Sequence, residues 1–154
     1  MRKLTPDEQE LLDSRKRGFD AFHEERMPVL VHFMELLALP EPGLVLVHAE
    51  RYLPPLDQWL QQQTISDEHR AWLGARVTYF VGEYFAQILN GYWLVNEFPE
   101  TRTFARYVVG GFSKISNSKA MLDPFEVADE CLAEPPGRSL MKLLTEVEQE
   151  LAKS

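Results

Sequence analysis

The sequence predicts a single α+β domain over residues 1–154, helix-rich, with a short antiparallel sheet at about 92–116 packed on a long central helix at about 66–90. Three observations carry that reading. Apolar residues recur at three-and-four spacing from Leu73 to Ile88, the period of one helix face. After Gly91 the pattern turns extended, with aromatic and β-branched residues in Tyr92-Trp93-Leu94-Val95 and again in Phe104 to Val109. No internal repeat and no long linker divides the chain, whose 154 residues suit one hydrophobic core.

The elements follow in order. Thr5-Pro6-Asp7-Glu8 has the form of a capping box with proline at the first helical position, so a helix is expected from about 6 to 23, with Leu11, Leu12, Phe19 and Phe22 on its apolar side. Pro28 then reads as the start of a second helix, carrying Val29, Leu30, Phe33, Met34, Leu36 and Leu37, and the proline-rich run from Leu39 to Gly43 ends it. Leu44-Val45-Leu46-Val47 is read as the first turns of a helix to Leu53, with a buried strand as the alternative. Pro54-Pro55 is expected to break the chain before a short helix containing Leu56, Trp59 and Leu60.

Ser66 followed by Asp67 and Glu68 caps the long helix and complements its positive end, and Asn90-Gly91 closes it. Gly74 and Gly82, two turns apart, form a smooth notch that reads as close packing of another backbone, with a ligand groove as the alternative. Two strands are expected on either side of the connection at 96–101, and Gly110-Gly111 permits a bend before a third strand from Phe112 to Ile115. Asp123-Pro124-Phe125-Glu126 repeats the N-terminal capping logic for a helix from 124 to about 133. Pro135-Pro136-Gly137 stops it, and Leu140, Leu143, Leu144, Val147 and Leu151 form an amphipathic stripe to the C-terminus.

Composition narrows the function. Twenty-four acidic against sixteen basic residues give a net charge of −8, which repels phosphate backbones and anionic lipid, so neither nucleic acid nor a membrane is an expected partner. The same field attracts a basic protein. Cys131 is the single cysteine, so a reducing compartment fits, and the polar N-terminal residues lack a signal-peptide pattern; the expectation is a cytoplasmic protein.

The chemistry-bearing residues make no catalytic set. His23, His32, His48 and His69 form no pair at ligand spacing beyond His32 with Glu35, which reads as a surface contact, so neither a metal nor another cofactor is expected. No nucleophile elbow surrounds a serine, Cys131 lies on an apolar helical face as a core residue would, and no glycine-rich phosphate loop is present. Arg102, Arg106, Lys114 and Lys119 read as a solvated sheet face or an anion clamp. Glu83 lies within the most apolar helix and, once buried, needs a partner, for which Arg76 and Arg106 are the candidates. If a pocket lies between the long helix and the sheet, Glu83, Arg106 and Tyr107 are its polar lining.

The segment from Val81 to Val95, with Gly82-Glu83-Tyr84 and Tyr92-Trp93, followed by Asp123-Pro124-Phe125 and a leucine-rich terminal helix, resembles a group of small bacterial α+β proteins of unknown function. Those share a "GEYLGEVL…GGxW" helix-to-strand segment. Here Phe85-Ala86 stands in place of the usual leucine-glycine, and one glycine precedes Tyr92. The resemblance covers roughly residues 66–150 and implies an α+β domain of unknown function, in a group some of whose members look like accessory or immunity-type proteins, with no catalytic residue to carry over. The expectation is therefore a non-enzymatic protein-binding or regulatory module with a basic partner. The alternatives are a small-molecule binder or enzyme using the helix–sheet pocket, and a homo-oligomer whose aromatic residues build its own interface.

Overall fold

The computed structural model describes residues 2–153 as an α+β domain of five α-helices and one two-stranded antiparallel sheet. The first helix, α1, runs Pro6–Leu36. Its capping box forms as the sequence dictates: the Thr5 hydroxyl accepts from the Glu8 amide at 3.2 Å, and the Thr5 amide donates to Glu8 Oε1 at 2.9 Å. The two helices expected on either side of Pro28 are one. Pro28 removes one helical hydrogen bond, but it and Glu24 face solvent, where water takes up the freed carbonyl. The apolar side continues beyond it into fully buried Leu30, Phe33 and Met34, whose burial at ~2 kcal/mol per side chain outweighs that loss.

Residues 42–51 form two 3-10 turns, Pro42–Leu46 and Ala49–Arg51, neither the α-helical turns nor the strand considered for this run. Pro54-Pro55 does not break the chain. Both prolines sit in the first turn of α2 (Leu53–Gln62), where no amide donor is required.

The central helix α3 (Asp67–Ile88) begins at the expected cap, with Ser66 Oγ accepting from the His69 amide at 3.2 Å. It buries Leu73, Val77, Phe80, Val81 and Phe85, and Asn90 takes the left-handed conformation (φ 54°) that ends it. The chain then enters β1 (Tyr92–Val95), which pairs with β2 (Tyr107–Gly110) in the register Tyr92 with Gly110 through Val95 with Tyr107. The strand expected from Phe104 starts later, because residues 101–105 turn and Ala105 is left-handed (φ 64°). The third strand expected at 112–115 is absent. Gly111 (φ 63°) turns the chain so that the Ser113 and Lys114 amides donate to the Asn90 and Leu89 carbonyls, capping α3 instead of extending the sheet. Leu122 takes the free side of β2 through a bridge to Val109.

Asp123 Oδ1 caps α4 (Pro124–Ala133) by accepting from the Phe125 amide at 2.9 Å. Helix α5 (Leu140–Lys153) closes the core with Leu140, Leu144 and Leu151. Two buried polar residues fasten this end. Asp57 accepts from the Met141 amide at the start of α5, and the Arg138 guanidinium donates to the Leu60, Gln63 and Glu134 carbonyls, satisfying the ends of α2 and α4. Among the described residues no helix is long and apolar enough to cross a membrane.

Candidate functional site

The candidate region lies where α1, α3, the hairpin and α4 meet, and it is built around Phe22. Its ring centroid is 4.5 Å from Tyr107, 4.9 Å from Tyr79, 5.1 Å from Trp93 and 5.9 Å from Phe125. Such aromatic pairs fix one another's orientation and so set the relative placement of four elements. Tyr79 donates to the Phe22 carbonyl at 2.8 Å, and Tyr107 donates to the Arg15 carbonyl at 2.8 Å, tying α3 and β2 to α1. Burial pushes the Tyr79 phenol up to about 12.

Glu83 lies beside this cluster with its side chain 8% exposed, and its partner is neither Arg76 nor Arg106. Arg26 of α1 reaches across, Nε to Oε2 at 3.0 Å, while its second nitrogen donates to the His23 carbonyl at 2.7 Å. Burial raises the Glu83 carboxyl above the ordinary range, and Arg26 offsets part of that rise through its charge and hydrogen bond. Arg76 instead stacks on Trp72, its guanidinium carbon 3.9 Å from the ring centroid.

Arg106 and Tyr107 do share a cavity of about 350 Å³, lined with them by Arg15, Phe125 and Asp129; Glu83 is not part of it. The Arg106 guanidinium is engaged by Asp123 at 2.9 Å and Glu126 at 3.3 Å, and Arg102 also pairs with Glu126. These arginines are thus neutralised by the carboxylates at the start of α4, while Lys114 and Lys119 stand exposed in the following loop.

A neighbouring groove includes Gly74, where the sequence favours tight packing over a ligand groove. On the other side of Phe125 a cavity of about 510 Å³ runs along α3, lined by Asp67, Arg70, Ala71, Gly74, Ala75, Thr78, Phe125 and Asp129. Phe125 and Asp129 border both cavities, so the two are neighbours along α4. Thr78, 3% exposed, lines the groove floor. The legible signal was the spacing of small residues at 71, 74, 75 and 78, one helix face.

Two further candidates separate into a surface residue and a core residue. His32 is exposed beside Glu35, and among the described residues no three histidine, cysteine or acidic side chains come together as a metal site. Cys131 is buried, and burial pushes its thiol up to about 11. Iodoacetamide at neutral pH should therefore leave the folded chain unmodified and alkylate it once in urea, as read by intact mass. In comparisons with known proteins, no family model matches the chain, and no curated protein or solved structure matches it.

Proposed function

We propose that the protein is a non-enzymatic binding module that seats an amphipathic helix of a basic partner protein in the groove between α3 and α4. The observation that carries this reading is the open groove of about 510 Å³, floored by small side chains of α3 and walled by the exposed ring of Phe125. The small side chains of Ala71, Gly74 and Ala75 let a second helix approach closely, and Phe125 supplies an exposed aromatic wall. Asp67 and Asp129, which have no ion-pair partner among the described residues, flank the groove with Arg70, and the net charge of −8 favours cationic over anionic guests. A regulatory or immunity-type role agrees with such a surface.

The test is a titration of labelled protein with a Lys-rich amphipathic helical peptide, followed by NMR. Amide shifts should concentrate at 71–78 and 125–129, and Ala75→Arg, which places bulk and like charge on an exposed floor position, should weaken binding at least tenfold while leaving the melting temperature unchanged. No shift at millimolar peptide, or shifts elsewhere, would sink the proposal. A second reading, small-molecule binding, is favoured by the 350 Å³ cavity beside Arg106 and Tyr107, which lies in the usual size range of ligand sites. Stabilisation by a small metabolite that Arg106→Ala removes would select it.

A further inference from the structure

The outer edge of β1 offers a surface independent of the α3–α4 groove. Val109 spends both of its main-chain groups on Leu122, each bond 2.8 Å, so it is Val108 and Gly110 that face β1. Alternation along the ladder then turns Tyr92, Leu94 and Asn96 toward β2, consistent with the Asn96 amide donating to the Arg106 carbonyl at 2.9 Å. Trp93 and Val95 consequently point their N–H and C=O groups away from the sheet, and these groups have no hydrogen-bond partner among the described residues. A cleft of about 380 Å³ runs along this edge, lined by the four strand residues with Lys16, Phe19 and Glu97.

We propose that this edge pairs with the same edge of a second copy of the chain, joining two hairpins into one four-stranded antiparallel sheet. The edge is self-complementary. With a two-fold axis at Leu94, Trp93 of each copy lies opposite Val95 of the other, and all four outward groups of each strand are satisfied in two hydrogen-bonded pairs. Leu94 then meets Leu94 in the close, non-hydrogen-bonded position, and Tyr92, 60% exposed in the single chain, lies on the same face two residues away. The charges beside the seam already neutralise each other, since Lys16 Nζ lies 2.9 Å from Glu97 Oε1. What opposes association is the net charge of −8 on each copy, so the dimer should tighten as salt is added.

The experiment is sedimentation of the purified full chain over a range of concentration and salt. The expected mass rises to twice the 17.8 kDa of one chain, at lower protein concentration in higher salt. Val95→Pro removes an N–H that faces outward and none that faces β2, so it should hold the mass at one chain with the circular dichroism of the wild type. Should Val95→Pro fail to fold, charge placed on the axis gives the same information: Leu94→Lys and Leu94→Glu should each be monomeric alone and form a mixed dimer when combined. Amide exchange adds a positional readout, with the Trp93 and Val95 amides gaining protection as the dimer forms and the Leu94 amide protected throughout. A wild-type chain that stays monomeric at all concentrations, or a dimer that survives both Val95→Pro and the like-charged Leu94 variants, overturns the proposal. Exclusive pairing with an extended segment of another protein would appear as the first of these outcomes.

Discussion

Arg26→Met should destabilise the protein by about 3 kcal/mol at neutral pH, and the loss should shrink as the solution is acidified. Arg26 is the cation that pairs with Glu83, whose carboxylate is held in a largely dry site between α1 and α3. Removing the guanidinium leaves a buried charge uncompensated, which is far more costly than losing an exposed ion pair worth about 0–1 kcal/mol. Methionine keeps most of the aliphatic stem, so the measured loss reports charge more than packing. The pH dependence has a definite sign. The folded-state pKa of Glu83 lies above its unfolded value, so the folded chain binds this proton more tightly than the unfolded chain does. That contribution to stability is complete below the unfolded value of about 4.3 and is lost as pH rises through the folded value. Without Arg26 the folded value rises further, and the window of loss extends upward toward neutrality. Urea unfolding of both chains at pH 7 and pH 5 tests this: the deficit should be larger at pH 7. Adding Glu83→Gln to Arg26→Met should recover most of it, since a neutral amide needs no countercharge. A deficit equal at both pH values and unrelieved by glutamine would show that Arg26 acts through packing alone.

That pair also marks where sequence reading stops. Glu83 was recognisable as an acid that needed a partner, because helical periodicity placed it among buried residues. Its partner lies fifty-seven positions away in the chain, and only the crossing of α1 over α3 brings the two together. The same crossing could be foreseen no better than the continuity of α1, since Pro28 is a local helix-start signal that tertiary burial of Leu30, Phe33 and Met34 overrides. Signals that act within one turn were legible. Thr5, Ser66 and Asp123 each accept the amide hydrogen bonds that their positions imply, and the chain passes from helix to strand at Tyr92 as the change of period requires. The third strand failed because the amides of Ser113 and Lys114 found better acceptors at the end of α3 than at a sheet edge. In the candidate site, Arg106 and Tyr107 share a cavity because they are neighbours in sequence. Thr78, Phe125 and Asp129 escaped notice because their juxtaposition depends on how α4 lies across α3.

The two glycines of α3 looked alike in sequence, and the structure separates them into a sharp pair of opposite expectations. Gly74→Ala should stabilise the protein by about 0.5–1 kcal/mol, the ordinary gain from replacing glycine within a helix. A methyl group there would lie 3.9 Å from the nearest Leu132 carbon, an ordinary contact. Gly82→Ala carries the same intrinsic gain, but its methyl group would overlap the six-membered ring of the Trp93 indole. That ring has nowhere to move. It is 5% exposed, packed edge-on to Phe22 and Tyr79, and fixed through its backbone opposite Val109 in the hairpin. Relief requires shifting the hairpin away from α3 and opening the aromatic cluster, so the net result should be a loss on the order of 3 kcal/mol, at the upper end for overpacking a core. Thermal unfolding of the two variants measures the difference directly, and the near-ultraviolet dichroism of the tryptophan should weaken only in Gly82→Ala. Trp93→Phe in that background supplies the missing room and removes an indole N–H that is buried without a partner, so it should recover part of the loss. Equal melting temperatures for the two alanine variants would mean that the indole does not rest on Gly82, and that α3 and the hairpin are not joined through it.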